Sequence, residues 1–367
     1  TGTNGKTTVT QMLAAILTEN QMRCATIGTL SGARTTPEGP ELQELLGRYR
    51  DEGMDAVVME VSSHALDQHR VDGVRFRAGG FTNLSQDHLD YHKTMDAYLS
   101  AKSMLFEPAR SDMAVINVDD PDGARLADRV SIPVARCSIA DAEGLEMGSA
   151  GSTFRWRGEA VSLSLPGRFN VSNAVLAATL AESLGVAATA VAGGLSSLEA
   201  VAGRFERIDL GQRYLAAVDY AHTPDGLRKI LEAARELTDT KVVLVFGAGG
   251  DRDRDKRPQM GRVASELADE VVLTTDNPRS EDPLEIMENV RSGWFGSAKL
   301  VVEPDRRSAI RLGVSLCADG DVLIVAGKGH ETMQIVGEQV FPFDDRLELR
   351  DGIAQSLNAE STTEKDS

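Results

Sequence analysis

The first eight residues, TGTNGKTT, hold the plainest chemistry in the chain. Gly2 and Gly5 flank Thr3 and Asn4, and Lys6, Thr7 and Thr8 follow at once. Glycines let a backbone turn so that several N–H groups face one phosphate. The helix that follows adds its positive N-terminal end. A lysine at this spacing reaches the terminal phosphates, and the next threonine hydroxyl is a magnesium ligand. The full spacing, G-x-x-x-x-G-K-[ST], sets its first glycine one position ahead of Thr1, and such loops follow a β-strand. The expectation is a nucleotide-binding loop that the sequence enters partway, with a strand and a further domain ahead of it. A glycine-rich helix cap is the plain alternative. G-K-T-T running into an amphipathic helix favours the nucleotide.

Other candidate groups stand at the ends of strand-like runs. Glu60 closes DAVVMEVSS, where a parallel strand delivers residues to a site. Alone it reads as a solvated carboxylate; beside a phosphate loop it completes a magnesium shell. NLSQDHLDYH carries His88 and His92 four apart, the spacing of zinc ligands on one helix face. No H-E-x-x-H base accompanies them and no third ligand is obvious. His88 is therefore read as an aid to magnesium, and His92 as a surface loop residue. Lys102 lies on the otherwise apolar helix YLSAKSMLF, where a lysine ordinarily runs its stem over the core and its head to water. In VFGAGGDRDRDKR the glycines do not fit G-x-G-x-x-G, so no dinucleotide site is expected. Arg252 is placed to meet a carboxylate, and Asp253 to Arg257 read as a solvated helix start. TTDNPRSEDP offers Arg279 behind a stiffening Pro278, and VAGKGHET offers Gly327, Lys328, His330 and Glu331. Two guanidinium forks and a carboxylate at three strand ends suit a zwitterion such as an amino acid.

Elements must hold these groups in place. The chain has 367 residues, too many for one ordinary core, and 41% are hydrophobic. Apolar runs alternate with helical periodicity, which predicts an α/β fold. Helices are expected over 7–20, 41–52, 94–106 and 170–184, and a hairpin over 151–167. A second alternating series begins near Glu206, with strands in YLAAVDYAH, KVVLVFGAGG, EVVLTTDNP, AKLVVEP and DVLIVAGKGHE. The expected architecture is a central P-loop ATPase-type domain over 1–207 with a mostly parallel sheet. A Rossmann-like α/β domain over 208–358 and a disordered polar tail over 359–367 follow it. The net charge of −17 disfavours nucleic acid and anionic membranes as partners. Cys24, Cys137 and Cys317 form no disulfide or metal pattern, which suits a reducing cytoplasm.

Taken together, GTNGKTT, EVSSHALDQHR, DHLDYH, YLSAKSMLF, DNPR and GKGHE resemble the Mur ligase family, the ATP-dependent amide-bond ligases of peptidoglycan synthesis. The likeness spans nearly the whole chain. EVSSHALDQHR and DNPR are similar to the branch that adds the third peptide residue, and DNPR goes there with meso-2,6-diaminopimelate. The resemblance implies ATP and Mg2+ as cofactors, with Thr7, Glu60, His88 and a carbamylated Lys102 serving the metal. It implies catalytic roles for Lys6, Glu60, His88 and Lys102. Gly2, Thr3, Asn4, Gly5, Lys6, Thr7, Thr8, Asn173, Arg204, Asp219 and His222 would contact the nucleotide. Thr35, Thr36, Ser62, Gln68 and Arg70 would hold a UDP-N-acetylmuramoyl dipeptide. Arg252, Asp276, Asn277, Pro278, Arg279, Gly327 and Glu331 would hold diaminopimelate. A monomer whose domains close over small-molecule substrates is implied, with a further N-terminal domain gripping the uridine. The alternatives are a lysine-adding or folylpolyglutamate-type ligase of the same superfamily, or a non-catalytic ATP-binding regulator.

Overall fold

The computed structural model describes residues 1–32, 34–148 and 150–365, with side chains to position 359. Two compact units result, Thr1–Ala200 and Val201–Ser367.

The first unit opens on α1 (Lys6–Glu19), β1 (Cys24–Ile27), α2 (Gly39–Asp51), β2 (Ala56–Met59) and α3 (Ser63–Asp67). Next come β3 (Gly79–Phe81), α4 (Leu89–His92), α5 (Met95–Ser103), β4 (Ala114–Asn117), α6 (Pro121–Arg129) and β5 (Val134–Cys137). β6 (Glu143–Gly148), β7 (Gly151–Trp156), β8 (Glu159–Leu163), α7 (Arg168–Ser183) and α8 (Ala188–Ser197) complete it. β1 and β2 pair in parallel, as do β3, β4 and β5, while β6 to β8 form an antiparallel meander. The parallel strands are short and apolar because helices cover them. Phe81, Ile116, Leu105 and Tyr98 centre that core. β2 stops at Met59 because Ser62 turns its hydroxyl to cap α3, accepting from Ala65 N at 3.2 Å. The expected hairpin over 151–167 gains β6 as a third strand.

The second unit holds β9 (Glu206–Arg207), β10 (Leu215–Asp219), α9 (Pro224–Glu236), β11 (Val242–Phe246), α10 (Lys256–Leu267) and β12 (Glu270–Leu273). α11 (Pro283–Arg291), β13 (Lys299–Val302), α12 (Arg306–Ser315), β14 (Val322–Ala326), β15 (Met333–Val336), β16 (Gln339–Pro342) and α13 (Asp345–Lys365) follow. Six strands run in the order β13-β12-β11-β14-β10-β9, parallel except for β9. Successive crossovers through α9, α10 and α11 move the chain outward, and α12 brings it back to insert β14. Right-handed crossovers then place α12, with α13 against it, on the opposite face. The carboxyl ends of β11, β12 and β14 lie side by side where the order reverses, the usual place for a ligand crevice.

Two boundaries differ from the sequence reading. β9 hydrogen-bonds to β10, so 201–207 joins the second unit rather than ending the first. α13 runs on to Lys365 through positions where a disordered tail is expected; residues 366 and 367 lie outside the described residues. Among the described residues, no helix is long and apolar enough to cross a membrane.

Candidate active site

The opening loop is built by its glycines. Gly5 caps α1 with φ 86°, a left-handed conformation, and a Cβ there would stand 2.4 Å from Asn173 Oδ1. A Cβ on Gly2 would meet Thr82 Oγ1 at 1.8 Å. The loop is pinned to the strand beside it. Thr82 Oγ1 donates to Asn4 O at 2.6 Å, Asn83 Oδ1 accepts from Asn4 N at 3.0 Å, and Ser85 N donates to Thr3 Oγ1 at 3.0 Å. Lys6 Nζ folds back over the loop to Gly2 O at 3.0 Å and Thr3 O at 2.8 Å. Thr8 is buried at the start of α1.

Glu60 stands at the end of β2, only 2% exposed, which overturns a solvated strand-end role. Thr7 Oγ1 donates to its Oε2 at 3.0 Å, Thr29 N to its Oε1 at 2.7 Å and Thr29 Oγ1 to its Oε2 at 3.2 Å. The loop threonine and the strand-end carboxylate therefore meet, as their spacing predicts. His88 has φ 56° and precedes α4, with its ring 4.8 Å from that of His64 and Nε2 3.4 Å from Asp87 Oδ2. Burial pushes its pKa down to about 3, so at neutral pH the imidazole is uncharged and offers a lone pair. The Thr7 hydroxyl and the Glu60 carboxylate, 3.0 Å apart, are oxygen donors of the kind a hard divalent cation takes, with waters completing its shell. Among the described residues, no three His, Cys, Asp or Glu side chains converge as a zinc site needs.

Lys102 does not carry its head to water. It is 1% exposed, its Nζ donates to Gly2 O at 2.8 Å, and it lies 4.1 Å from the Tyr98 ring centroid. Burial, reinforced by the nearby Lys6 charge, holds its pKa well below the ordinary lysine value. His92 is likewise no surface residue: Tyr98 stacks on it and its Nε2 lies 2.9 Å from Ser63 Oγ, because α4 packs over α3.

Thr35, Thr36, Ser62, Gln68 and Arg70 gather beside Glu60. Thr29 Oγ1 lies 3.1 Å from Thr35 Oγ1, and Thr36 Oγ1 donates to Glu60 O at 2.9 Å and accepts from Ser62 N at 3.1 Å. Arg70 reaches Thr36 O at 3.2 Å and Gln68 Oε1 at 2.9 Å through Nε, and pairs with Glu38 at 3.2 Å.

In the second unit, Arg204, Asp219 and His222 surround Tyr220, whose part the sequence reading missed. Asp219 accepts from Phe205 N and Ala221 N, both at 2.7 Å, and burial raises its pKa against the pull of Arg204. Arg204 lies 4.5 Å from the Tyr220 ring centroid, and His222 Nδ1 is 2.7 Å from Tyr220 O.

The groups expected to hold an amino acid also converge. Asn277 Nδ2 donates to Glu331 Oε2 at 2.8 Å, and a Cβ on Gly327 would lie 2.5 Å from Asp276 Oδ2. Arg279, with φ 51°, donates through Nη1 to Gly250 O at 2.7 Å and, through its backbone, to Ile335 O at 3.1 Å. Pro278 packs its carbonyl against Gly250. Burial and the Arg252 charge lower the Arg279 pKa. Arg252 itself is exposed and donates to Asp251 O at 3.0 Å. Of the charges after it, Arg254 and Asp255 are exposed as expected of a solvated helix start, but the others are not. Asp253 and Lys256 are buried, and Arg257, 1% exposed, meets Glu281 through two bonds of 3.0 and 2.7 Å. Glu281 in turn accepts from Asp251 N at 2.6 Å, so this pair fastens the β11 loop to the β12 loop.

Known proteins carry the same plan. Residues 1–181 match the Mur ligase middle domain, and residues 203–329 match the Mur ligase, glutamate ligase domain. The UDP-N-acetylmuramoyl-L-alanyl-D-glutamate--2,6-diaminopimelate ligase of Caldanaerobacter subterraneus subsp. tengcongensis is 44% identical over 375 positions, 97% of this chain and 77% of that protein. The ligase of the same name from Gloeobacter violaceus is 45% identical over 97% of this chain and 76% of its own length. A solved structure of a UDP-N-acetylmuramoyl-L-alanyl-D-glutamate--2,6-diaminopimelate ligase superposes with TM-score 0.65 at 35% identity, covering 97% of this chain and 77% of that one. With both domains matched in order over most of its length, the chain belongs to the Mur ligase family.

Proposed function

We propose that this chain is an ATP-dependent ligase of peptidoglycan precursor synthesis. It joins meso-2,6-diaminopimelate to the D-glutamate of UDP-N-acetylmuramoyl-L-alanyl-D-glutamate. One observation carries the reading: in a chain 44% identical to such a ligase, the Thr7–Glu60 phosphate loop is accompanied by a pocket of two arginines and Glu331. The first group suits ATP and the second a zwitterionic acceptor.

The reaction divides into two displacements. A γ-carboxylate oxygen of D-glutamate attacks the γ-phosphorus of ATP, the bond to the ADP oxygen breaks, and an acyl phosphate forms. The free amine of diaminopimelate then attacks the acyl carbon, the C–O bond to phosphate breaks, and the amine sheds a proton as the amide forms. The loop N–H groups and Lys6 hold the phosphates and offset the charge of the transferred group. Thr7, Glu60 and His88 would hold Mg2+, which would supply positive charge to offset that of the phosphates. Neutral His88 favours ligation over repulsion. The lowered pKa of Lys102 favours an uncharged amine that would add carbon dioxide, its lone pair forming the N–C bond as a proton leaves to solvent; the carbamate would then serve as a further ligand for Mg2+. Arg70 and its neighbours fit the dipeptide, orienting its glutamate toward the phosphate. Asn173, against Gly5, adds to the nucleotide contacts of the loop, and Arg204, Asp219 and His222 are residues suited to a nucleotide on the second unit. Arg279 and Arg252 meet the acceptor's carboxylate, and Glu331 and Asp276 its ammonium. An enzyme using these substrates works in the cytoplasm, and we infer a monomer.

The test is phosphate release with ATP, magnesium and the UDP-linked dipeptide, with meso-diaminopimelate, with L-lysine, or with neither. Release dependent on diaminopimelate supports the reading. Release with lysine alone would move the acceptor assignment, and none with either would leave an ATP-binding regulator.

A further inference from the structure

Lys328 takes no direct part in the pocket just described, yet it is a fully enclosed charge beside it. Its side chain is 0% exposed. A buried ammonium is stable only when its donors are met, and here three acceptors meet them: Asn277 Oδ1 at 3.1 Å, Glu331 Oε2 at 3.2 Å and Met333 O at 2.6 Å. Asn277 is locked into the same set. Its Oδ1 also accepts from Ile335 N at 2.9 Å, and its Nδ2 donates to the same Glu331 Oε2 at 2.8 Å. One oxygen of Glu331 is thus held from two directions, by Lys328 and by Asn277. Glu331 remains partly exposed, and among the described residues no protein donor is bonded to its Oε1. The backbone turn Glu331 N to Lys328 O, 2.9 Å, sets the two side chains on one side.

We propose that Lys328 is a positioning residue for the acceptor amino acid, acting through Glu331. It fixes the carboxylate by Oε2 so that Oε1 faces the crevice at the strand ends, ready for an ammonium group. It also keeps the carboxylate from turning inward onto Arg279 or the backbone donors of the β15 turn. This inference rests on the ligase reading above.

The experiment is a double-substitution cycle on the protein, with steady-state KM for meso-diaminopimelate, KM for ATP and kcat measured for each form. Lys328→Met is expected to raise the diaminopimelate KM about tenfold or more, the scale of a lost charge-assisted bond. The ATP KM should stay within about threefold, because none of the three acceptors of Lys328 is among the residues assigned to the nucleotide. In the Glu331→Gln background the same Lys328→Met change should cost less than about twofold, since its target is gone. Lys328→Gln keeps donors for Asn277 and Met333 O and serves if the methionine form does not fold, as judged by its thermal transition. Equal fold-losses from the lysine change with and without Glu331, or an unchanged diaminopimelate KM, would overturn the proposal. Loss of all diaminopimelate-dependent release in the unaltered protein would instead overturn the ligase reading itself.

Discussion

Removing one partner of the Arg306–Asp345 pair should loosen the second unit more than any surface change. Each residue opens a helix, α12 or α13, and both side chains are fully buried. Nε and Nη2 of Arg306 donate to Oδ1 and Oδ2 of Asp345 at 2.7 and 2.6 Å. The remaining donors reach Thr275 O at 3.1 Å and Ala326 O at 3.0 Å, the residues just ahead of Asp276 and Gly327. Asp345→Asn leaves a guanidinium in the interior without a counter-charge, a loss of about 3–5 kcal/mol. With a urea slope of about 2 kcal/mol per molar, the midpoint should fall by about 1.5–2.5 M. The chain has two tryptophans, Trp156 in the first unit and Trp294 in the second. In a Trp156→Phe background, fluorescence of Trp294 reports the second unit alone. The joint change Arg306→Met with Asp345→Leu removes both charges and should cost less than the sum of the singles by about 2 kcal/mol or more. A midpoint shift under about 0.5 M for Asp345→Asn, or strictly additive costs, would refute the reasoning about uncompensated charge.

Further outcomes follow from the first unit. Glu60→Gln should lower acceptor-dependent phosphate release by about 100-fold or more, with ATP affinity, measured by calorimetry, far less affected. Gly5→Ala forces a Cβ into the left-handed region against Asn173 and should weaken ATP binding, read by calorimetry, by about 1–2 kcal/mol. Burial lowers the pKa of His64, His88, His92 and His330, the second to about 3 and the last to about 4. The unfolded chain therefore binds more protons, and stability should fall as pH drops from about 6.5 toward these values. Urea midpoints across that range check it, and His330→Asn should flatten the slope. A peptide containing Lys102, recovered without acid, should carry the added mass of one carbon dioxide; an unmodified mass at saturating bicarbonate would remove Lys102 from the metal shell.

The fold was legible where periodicity was strong. Val242 to Phe246 and Val322 to Ala326 are buried on both faces and read as unbroken apolar runs. α13 was missed although Leu349, Ile353 and Leu357 recur at helical spacing, because most residues between them are polar or charged and the polar stretch from 359 on reads as a tail. Thr7 and Glu60 could be paired from sequence, since loop and strand end follow local rules. The burial of His92, Arg257 and Lys328 could not. Each depends on partners far along the chain or on turn geometry, and composition alone assigns charged residues to the surface. Tyr220 was passed over for a related reason: its value lies in the rings and cations placed around it, not in its neighbours in sequence.

The neighbour relation of β12, β11 and β14 has a consequence for how such an enzyme can change its substrate. Adjacent strand ends stand about 4.8 Å apart, so three of them span roughly 10 Å. That breadth is fixed by backbone pairing and does not vary with the side chains mounted on it. A lineage could therefore trade one acceptor for another by rewriting the three loops, while every ladder bond beneath them stays in register. The same frame that holds the pocket's width constant leaves its chemistry open to revision.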